Sequence, residues 1–266
     1  MSRLGIKVLH LPTLLLRPGV RFILASLLFF GTLLLAYYFI GIEKYRHELD
    51  NKEYTQKLAS KIRHNIEFQI NHTMHLSQGL ALLSVQYDTT HHLFDKISAE
   101  ILKSAPFIRN VALAKDNIIT QIYPLEGNEK ALGLRYMDAP SQRDDIIRAI
   151  ETKKSVLAGP IDLVQGGRGI INRIPIFHGK NNDDYWGIAS LVVDVDTFFE
   201  RSRFLPKHPE LELALMTKNS QMIFGDKLLF THPQHVLLPI QLVADTWYLA
   251  AVSKNGYQPE NNIFLF

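Results

Sequence analysis

Few side chains in this 266-residue sequence stand where a reacting centre would put them. Cys is absent, which excludes disulfides, thiolate metal sites and Cys nucleophiles together. Gly166-Gly167-Arg168-Gly169 has the glycine density of a phosphate cradle. A nucleotide loop would continue with Lys-Ser or Lys-Thr and open a helix, whereas apolar runs flank this segment, so it reads as a hairpin turn. His72 and His75 are three apart on a helical stretch, with His64 eight residues before His72. A metal could bridge the pair, but no acid nearby completes a ligand set, and a solvated face is expected with no metal. Asp144-Asp145 and Asp183-Asp184 are adjacent in sequence and cannot flank one reacting atom as a catalytic pair does. They read as a helix's first turn and a loop. No nucleophile elbow or zinc-helix motif occurs. These absences point away from an enzyme and from a resident cofactor. A net charge of +3 is too small for a dedicated nucleic-acid binder.

The elements that would position any site begin with an anchor. Phe22 to Ile42 contains no charged residue and is long enough, at ~1.5 Å per helical residue, to cross a ~30 Å hydrocarbon core. Tyr37 and Tyr38 stand near one end, as interfacial aromatics do. The stretch is too long for a signal peptide and lacks a small-x-small cleavage site. Arg3, Lys7, Arg17 and Arg21 precede it and Lys44, Arg46 and Lys52 follow it, a slight excess of basic residues that favours residues 1–21 as a cytoplasmic tail. Between Glu43 and Ser104 there is no Pro, and Gly79 is the only Gly. Leu58, Ile62, Ile66, Ile70 and Met74 recur every four residues, so 43–85 is expected as one long stalk helix. A second helix is expected over 93–103, ended by Ala105-Pro106.

The period then changes. Ile108–Ala114 and Ile118–Tyr123 read as a hairpin turning at Lys115-Asp116-Asn117. A helix is expected over 141–151, with Asp144 and Asp145 in its first turn. Short strands follow at 156–158 and 161–164, around Gly159-Pro160, then a strand over 170–177. The nearly continuous apolar run 186–193 predicts a central, buried strand. A helix over 194–204 ends this unit. Ala214-Leu215-Met216-Thr217-Lys218-Asn219 then echoes Ala112-Leu113-Ala114-Lys115-Asp116-Asn117, either as a structural repeat or as chance likeness of two hairpins. Strands at 238–243 and 247–253 complete a second unit. The fold class is therefore α+β: an N-terminal transmembrane helix, a long helix, and two small antiparallel-sheet units in tandem, at 86–204 and 205–258. Residues 259–266 read as the start of a second transmembrane helix or as a terminal strand.

An ordered series in this region resembles a known family. It comprises Tyr123-Pro124-Leu125-Glu126-Gly127-Asn128, Ala131-Leu132-Gly133, Arg143, Arg148-Ala149 and Glu151-Thr152. It continues through Val156-Leu157-Ala158-Gly159-Pro160-Ile161, Leu163 to Gly169, and Arg173-Ile174-Pro175-Ile176-Phe177. It is similar to the CHASE domain, the extracytoplasmic sensor of plant cytokinin receptors and of bacterial histidine kinases and diguanylate cyclases. The resemblance implies two PAS-like units on a long helix, with ligand bound in the membrane-distal unit, 86–204, and a membrane-proximal unit at 205–258. It implies a receptor in a bacterial inner membrane, with residues after the anchor in the periplasm and a cytoplasmic output. A homodimer is expected, because a signal that crosses a membrane needs helices that move against each other.

The resemblance also carries over pocket positions: Gln142, Arg143, Ala158, Val164 and Arg173. The plant receptors have an Asp, which holds a purine ring, where this chain has Gln142. They have Thr where it has Ala158 and Arg173. A cytokinin-like purine is therefore disfavoured, and a guanidinium facing the pocket would favour an anionic small molecule. The alternatives for Arg173 are a surface charge or an ion pair with Asp162.

Overall fold

The computed structural model describes residues 18–86, 91–179, 181, 183–201 and 210–254. The expectations for 1–17, 202–209 and 255–266 lie outside these. The chain divides into two compact units, 1–51 and 52–266.

Helix α1 (Pro18–Gln86) runs without a break through the anchor and the stalk. In the first unit its large apolar side chains are exposed, Phe22 at 76% and Ile40 at 68% among them. The helix is long and apolar enough to cross a membrane. A stripe of this kind left in water would be strongly unfavourable, at roughly 25 cal/mol per Å² of apolar surface.

In the second unit, Ile62, Ile66, Ile70 and Met74 of α1 are buried in one core with α2 (His91–Ser104) and both sheets. The four-residue recurrence read from the sequence is thus the face that packs on the sheets.

The first sheet has five strands in the order β2-β1-β5-β4-β3. They are β1 (Ile108–Lys115), β2 (Ile118–Tyr123), β3 (Val156–Asp162), β4 (Arg168–His178) and β5 (Asp184–Asp194), all antiparallel. β5 is the central strand, which accounts for its apolar run. The β1–β2 turn is two residues, Asp116 and Asn117, both with positive φ (50° and 65°), which suits the twist of a tight hairpin. Successive residues of each strand face opposite sides. Val111 and Leu113 of β1, Ile170, Ile174 and Ile176 of β4, and Leu191 and Val193 of β5 meet α1 and α2. Ala112, Ala114 and Ile188 face the other side, where α3 (Pro140–Thr152) covers them with Ile146 and Ala149.

Two local expectations are corrected here. α3 starts at Pro140, because Pro serves the first helical position, where its missing N–H costs nothing. Asp144 and Asp145 therefore lie beyond the first turn. The segments expected at 156–158 and 161–164 join instead in a single strand, β3, that ends at Asp162 and has a bulge between Ala158 and Ile161. Gly159 holds that bulge at φ 104°, where a Cβ would stand 2.6 Å from the Gly169 carbonyl oxygen. Only glycine tolerates both conditions. Val164 consequently sits in the β3–β4 turn rather than on a strand.

α4 (Val195–Arg201) follows β5, with Asp194 Oδ1 accepting from Thr197 N at 2.8 Å as its cap. The second sheet has four strands in the order β7-β6-β9-β8: β6 (Leu211–Thr217), β7 (Met222–Phe224), β8 (Val236–Gln241) and β9 (Thr246–Ser253). That is the order β2-β1-β5-β4 again without the fifth strand. The sequence echo between the β1–β2 and β6–β7 hairpins is therefore an architectural repeat.

Candidate ligand site

The alternation along β4 places Asn172 and Arg173 on opposite faces of the sheet. Asn172 faces α1 and donates from Nδ2 to Ser77 Oγ at 2.7 Å. Arg173 faces α3 and is 1% exposed. It is neither a surface charge nor a partner of Asp162, which lies at the exposed end of β3.

The surroundings of Arg173 are polar but neutral. Nη1 donates to Ser190 Oγ at 3.0 Å, from the residue directly opposite on β5. Nη2 donates to Gln142 Oε1 on α3. The guanidinium carbon lies 4.3 Å from the centroid of the Tyr136 ring, a cation–π contact. The Tyr136 hydroxyl is 3.0 Å from Ser190 Oγ and closes the ring of contacts. Nε is buried and, among the described residues, has no hydrogen-bond partner. Among the described residues Arg173 makes no ion pair. Burying a cation costs several kcal/mol, and that cost is usually offset by a carboxylate at contact distance. Here no acid is at that distance. Asp145 is near enough to feel the charge. Burial pushes its carboxyl above the usual Asp value, opposed by Arg148 and then Arg173, while Asp144 adds to the rise.

Beside Arg173 is a small cavity of about 30 Å³, with room for a few waters at most. Tyr136, Gln142 and Ser190 line it with Arg173, and Ala112, Ile119 and Ile122 supply apolar wall. The β3–β4 turn closes it through Leu163, Val164 and Gln165. That turn is held down by Arg109 on β1, which donates from Nη1 to Gly166 O at 2.6 Å and from Nη2 to Gln165 O at 3.3 Å. Gln165 Nε2 also donates to Asn128 Oδ1 at 3.2 Å, and Asn110 Nδ2 to the same oxygen at 2.8 Å.

Of the five positions carried over by resemblance, Gln142, Val164 and Arg173 line this cavity. Val164 is 45% exposed, at its rim. Arg143 is exposed on the other side of α3 and donates from Nε to Met137 O at 2.7 Å, which braces the turn carrying Tyr136. Ala158 packs with Leu163, Ile171 and Val192 in a separate small core. Tyr136 and Ser190 were not foreseen. Ser190 had a signal, as the one hydroxyl in the apolar run of β5; Tyr136 had none, since its loop shows no period.

A wider cleft of about 720 Å³ lies between the end of α3 and turns of the second sheet, with Arg148, Lys154 and Asp245 on its walls. None of the buried, unsatisfied side-chain atoms lies in it. The small cavity is the better candidate because its chemistry is incomplete. His64, His72 and His75 stay on α1, with His72 stacked on Phe68. Among the described residues no group of three or more His, Asp or Glu could hold a metal.

A family model for the CHASE domain matches residues 67–223, more than half of the chain. The chain belongs to the CHASE-domain family. The match runs from α1 into β7 and contains the whole first sheet and its cavity. Solved structures share the fold. An extracellular ligand-binding receptor of Desulfohalobium retbaense superposes with a TM-score of 0.63 at 14% identity, over 74% of this chain and 40% of that one. The CHASE chain thus spans less than half of that receptor chain. The ligand-binding domain of the Pseudomonas aeruginosa amino-acid chemoreceptor PctC, in complex with GABA, gives 0.57 at 16% identity, over 76% of this chain and all of that one. The ligand-binding domain of the Pseudomonas fluorescens chemoreceptor CtaA, in complex with L-alanine, gives 0.56 at 14% identity, over 77% and 98%. No curated protein matches the chain.

Proposed function

We propose that this CHASE-family chain senses a small anionic molecule, bound in the cavity of the first sheet against Arg173. The observation that carries this is the buried guanidinium with only neutral partners and an unpartnered Nε. A carboxylate or phosphate would supply the missing charge in bidentate geometry. The P. aeruginosa and P. fluorescens structures hold GABA and L-alanine, which are small molecules with one carboxylate each. A purine without an acidic group would leave the cation uncompensated.

In this reading the first sheet is the membrane-distal unit and the second the membrane-proximal one. The anchor crosses a bacterial inner membrane, the sheets lie in the periplasm, and the receptor works as a homodimer. Its output is a cytoplasmic histidine kinase or a cyclic di-GMP enzyme. Ligand shifts the receptor only by binding its two arrangements with different affinity. β4 offers the route, since Arg173 touches the cavity and Asn172 touches α1.

The test is a thermal-shift screen of the whole chain in detergent micelles against amino acids, small carboxylates, phosphates and purines. A carboxylate or phosphate at a hundred times its dissociation constant should add ~2.7 kcal/mol. A screen in which only uncharged purines stabilise, or nothing does, would overturn the reading.

A further inference from the structure

Gln142 and Arg173 are both buried, at 6% and 1% exposure, and each lines the cavity. Gln142 Oε1 accepts from Arg173 Nη2, while Nε of the same guanidinium is left without a partner. Nε–H and an Nη2–H lie along one edge of a guanidinium, spaced to match the two oxygens of a carboxylate. Of the two nitrogens on that edge, Nη2 already donates to a neutral amide from α3, and Nε is unfilled.

We propose that the Gln142 side-chain amide stands in for the ligand's anionic group, and that a carboxylate entering the cavity displaces it. This rests on the reading of the first-sheet cavity as the ligand site and adds how that site is kept closed. The incoming oxygens accept from Nη2 and Nε together. One hydrogen bond from the cation to a neutral acceptor is exchanged for two to an anion, and the unpartnered donor is satisfied. Neutrality is what makes Gln142 suitable. An acid there would pair with Arg173 permanently and leave nothing for a ligand to gain. An apolar residue would leave Nη2 bare in the empty state. Displacement also detaches α3 from Arg173. α3 then rests on the sheet through apolar contacts of Ile146, Ala149 and Ile150, so occupancy is written into the position of one helix.

Calorimetry of the whole chain in micelles with acetate, the smallest stable carboxylate probe, tests this, with acetamide as the uncharged control. Gln142→Leu removes the competitor and should bind acetate about tenfold more tightly than the unmodified chain, the lower end of the worth of one hydrogen bond to a charged group. Gln142→Glu fills the site from within, so it should melt higher and no longer bind acetate. Acetamide should bind none of the three. If acetate binds the unmodified chain but Gln142→Leu binds it equally or more weakly, Gln142 is a ligand-gripping residue and the stand-in proposal fails, while the cavity reading survives. If acetate binds neither the unmodified chain nor Gln142→Leu, with both folded by circular dichroism, the cavity reading fails and the stand-in with it.

Discussion

Arg173 is a residue that stability alone would not select. Its charge is buried among neutral partners, and the cost of taking it out of water is offset by no carboxylate at contact distance among the described residues. The Arg173→Met variant should therefore unfold in urea at the same or a higher midpoint than the unmodified chain, while losing its response to carboxylates. A clear fall in the midpoint would mean that the guanidinium is structural. Asp145, nearby on α3, carries the opposite mark. Burial raises its carboxyl above the ordinary value, so the folded chain holds that proton more tightly than the unfolded chain does. Folded stability from this group is greatest below the ordinary Asp value. It falls as pH rises toward the raised value and stays constant above it. Asp145→Asn removes that dependence. Denaturation midpoints taken over this acidic range should show the variant gaining on the unmodified chain as pH rises, then holding a constant offset. A difference that does not change with pH would contradict the assigned cause.

Among the elements, the β3–β4 hairpin closes one side of the cavity. Its bulge depends on Gly159, where a Cβ would collide with the Gly169 carbonyl at 2.6 Å and φ is 104°. Gly159→Ala should destabilise the fold by about 2 kcal/mol, measured as a shift in urea midpoint, and should loosen the turn that carries Leu163 to Gln165. An unchanged midpoint would show that the hairpin relaxes freely. Period and turn chemistry made much of this level legible in advance. The four-residue spacing from Ile62 to Met74 gave the packed face of α1, and Asp116-Asn117 gave the tight turn. The apolar run of β5 gave the central strand. The misses have physical causes. Gly159-Pro160 looks like a break between strands, but a bulge keeps the strand continuous. Pro140 looks like a helix flank, but it is the helix's first residue. The site was harder to read. Arg173 and Gln142 were reached by likeness of an ordered series, not by chemistry visible in the chain, because their contact spans β4 and α3. Arg143, next to Gln142, turns away because adjacent helical positions lie about 100° apart.

At the scale of the whole molecule, the features fit one division of labour. The exposed apolar start of α1 is long enough to cross a membrane. The rest of α1 forms a common core with two sheets of the same strand order. Only the first sheet carries, among the described residues, a buried cation lining a cavity. The repeat thus explains the fold, and the buried cation marks the first sheet as the place proposed for the ligand. Asn172 and Ser77 join that sheet to the shared helix next to the cavity residue. The measurement that bears most directly on this account is the affinity of the best carboxylate from the thermal screen, by calorimetry, for the unmodified chain and for Arg173→Met. Loss of a buried charge partner should weaken binding by about a hundredfold, with Arg173→Met still folded. Equal affinity in the two proteins would place the ligand elsewhere and contradict the account.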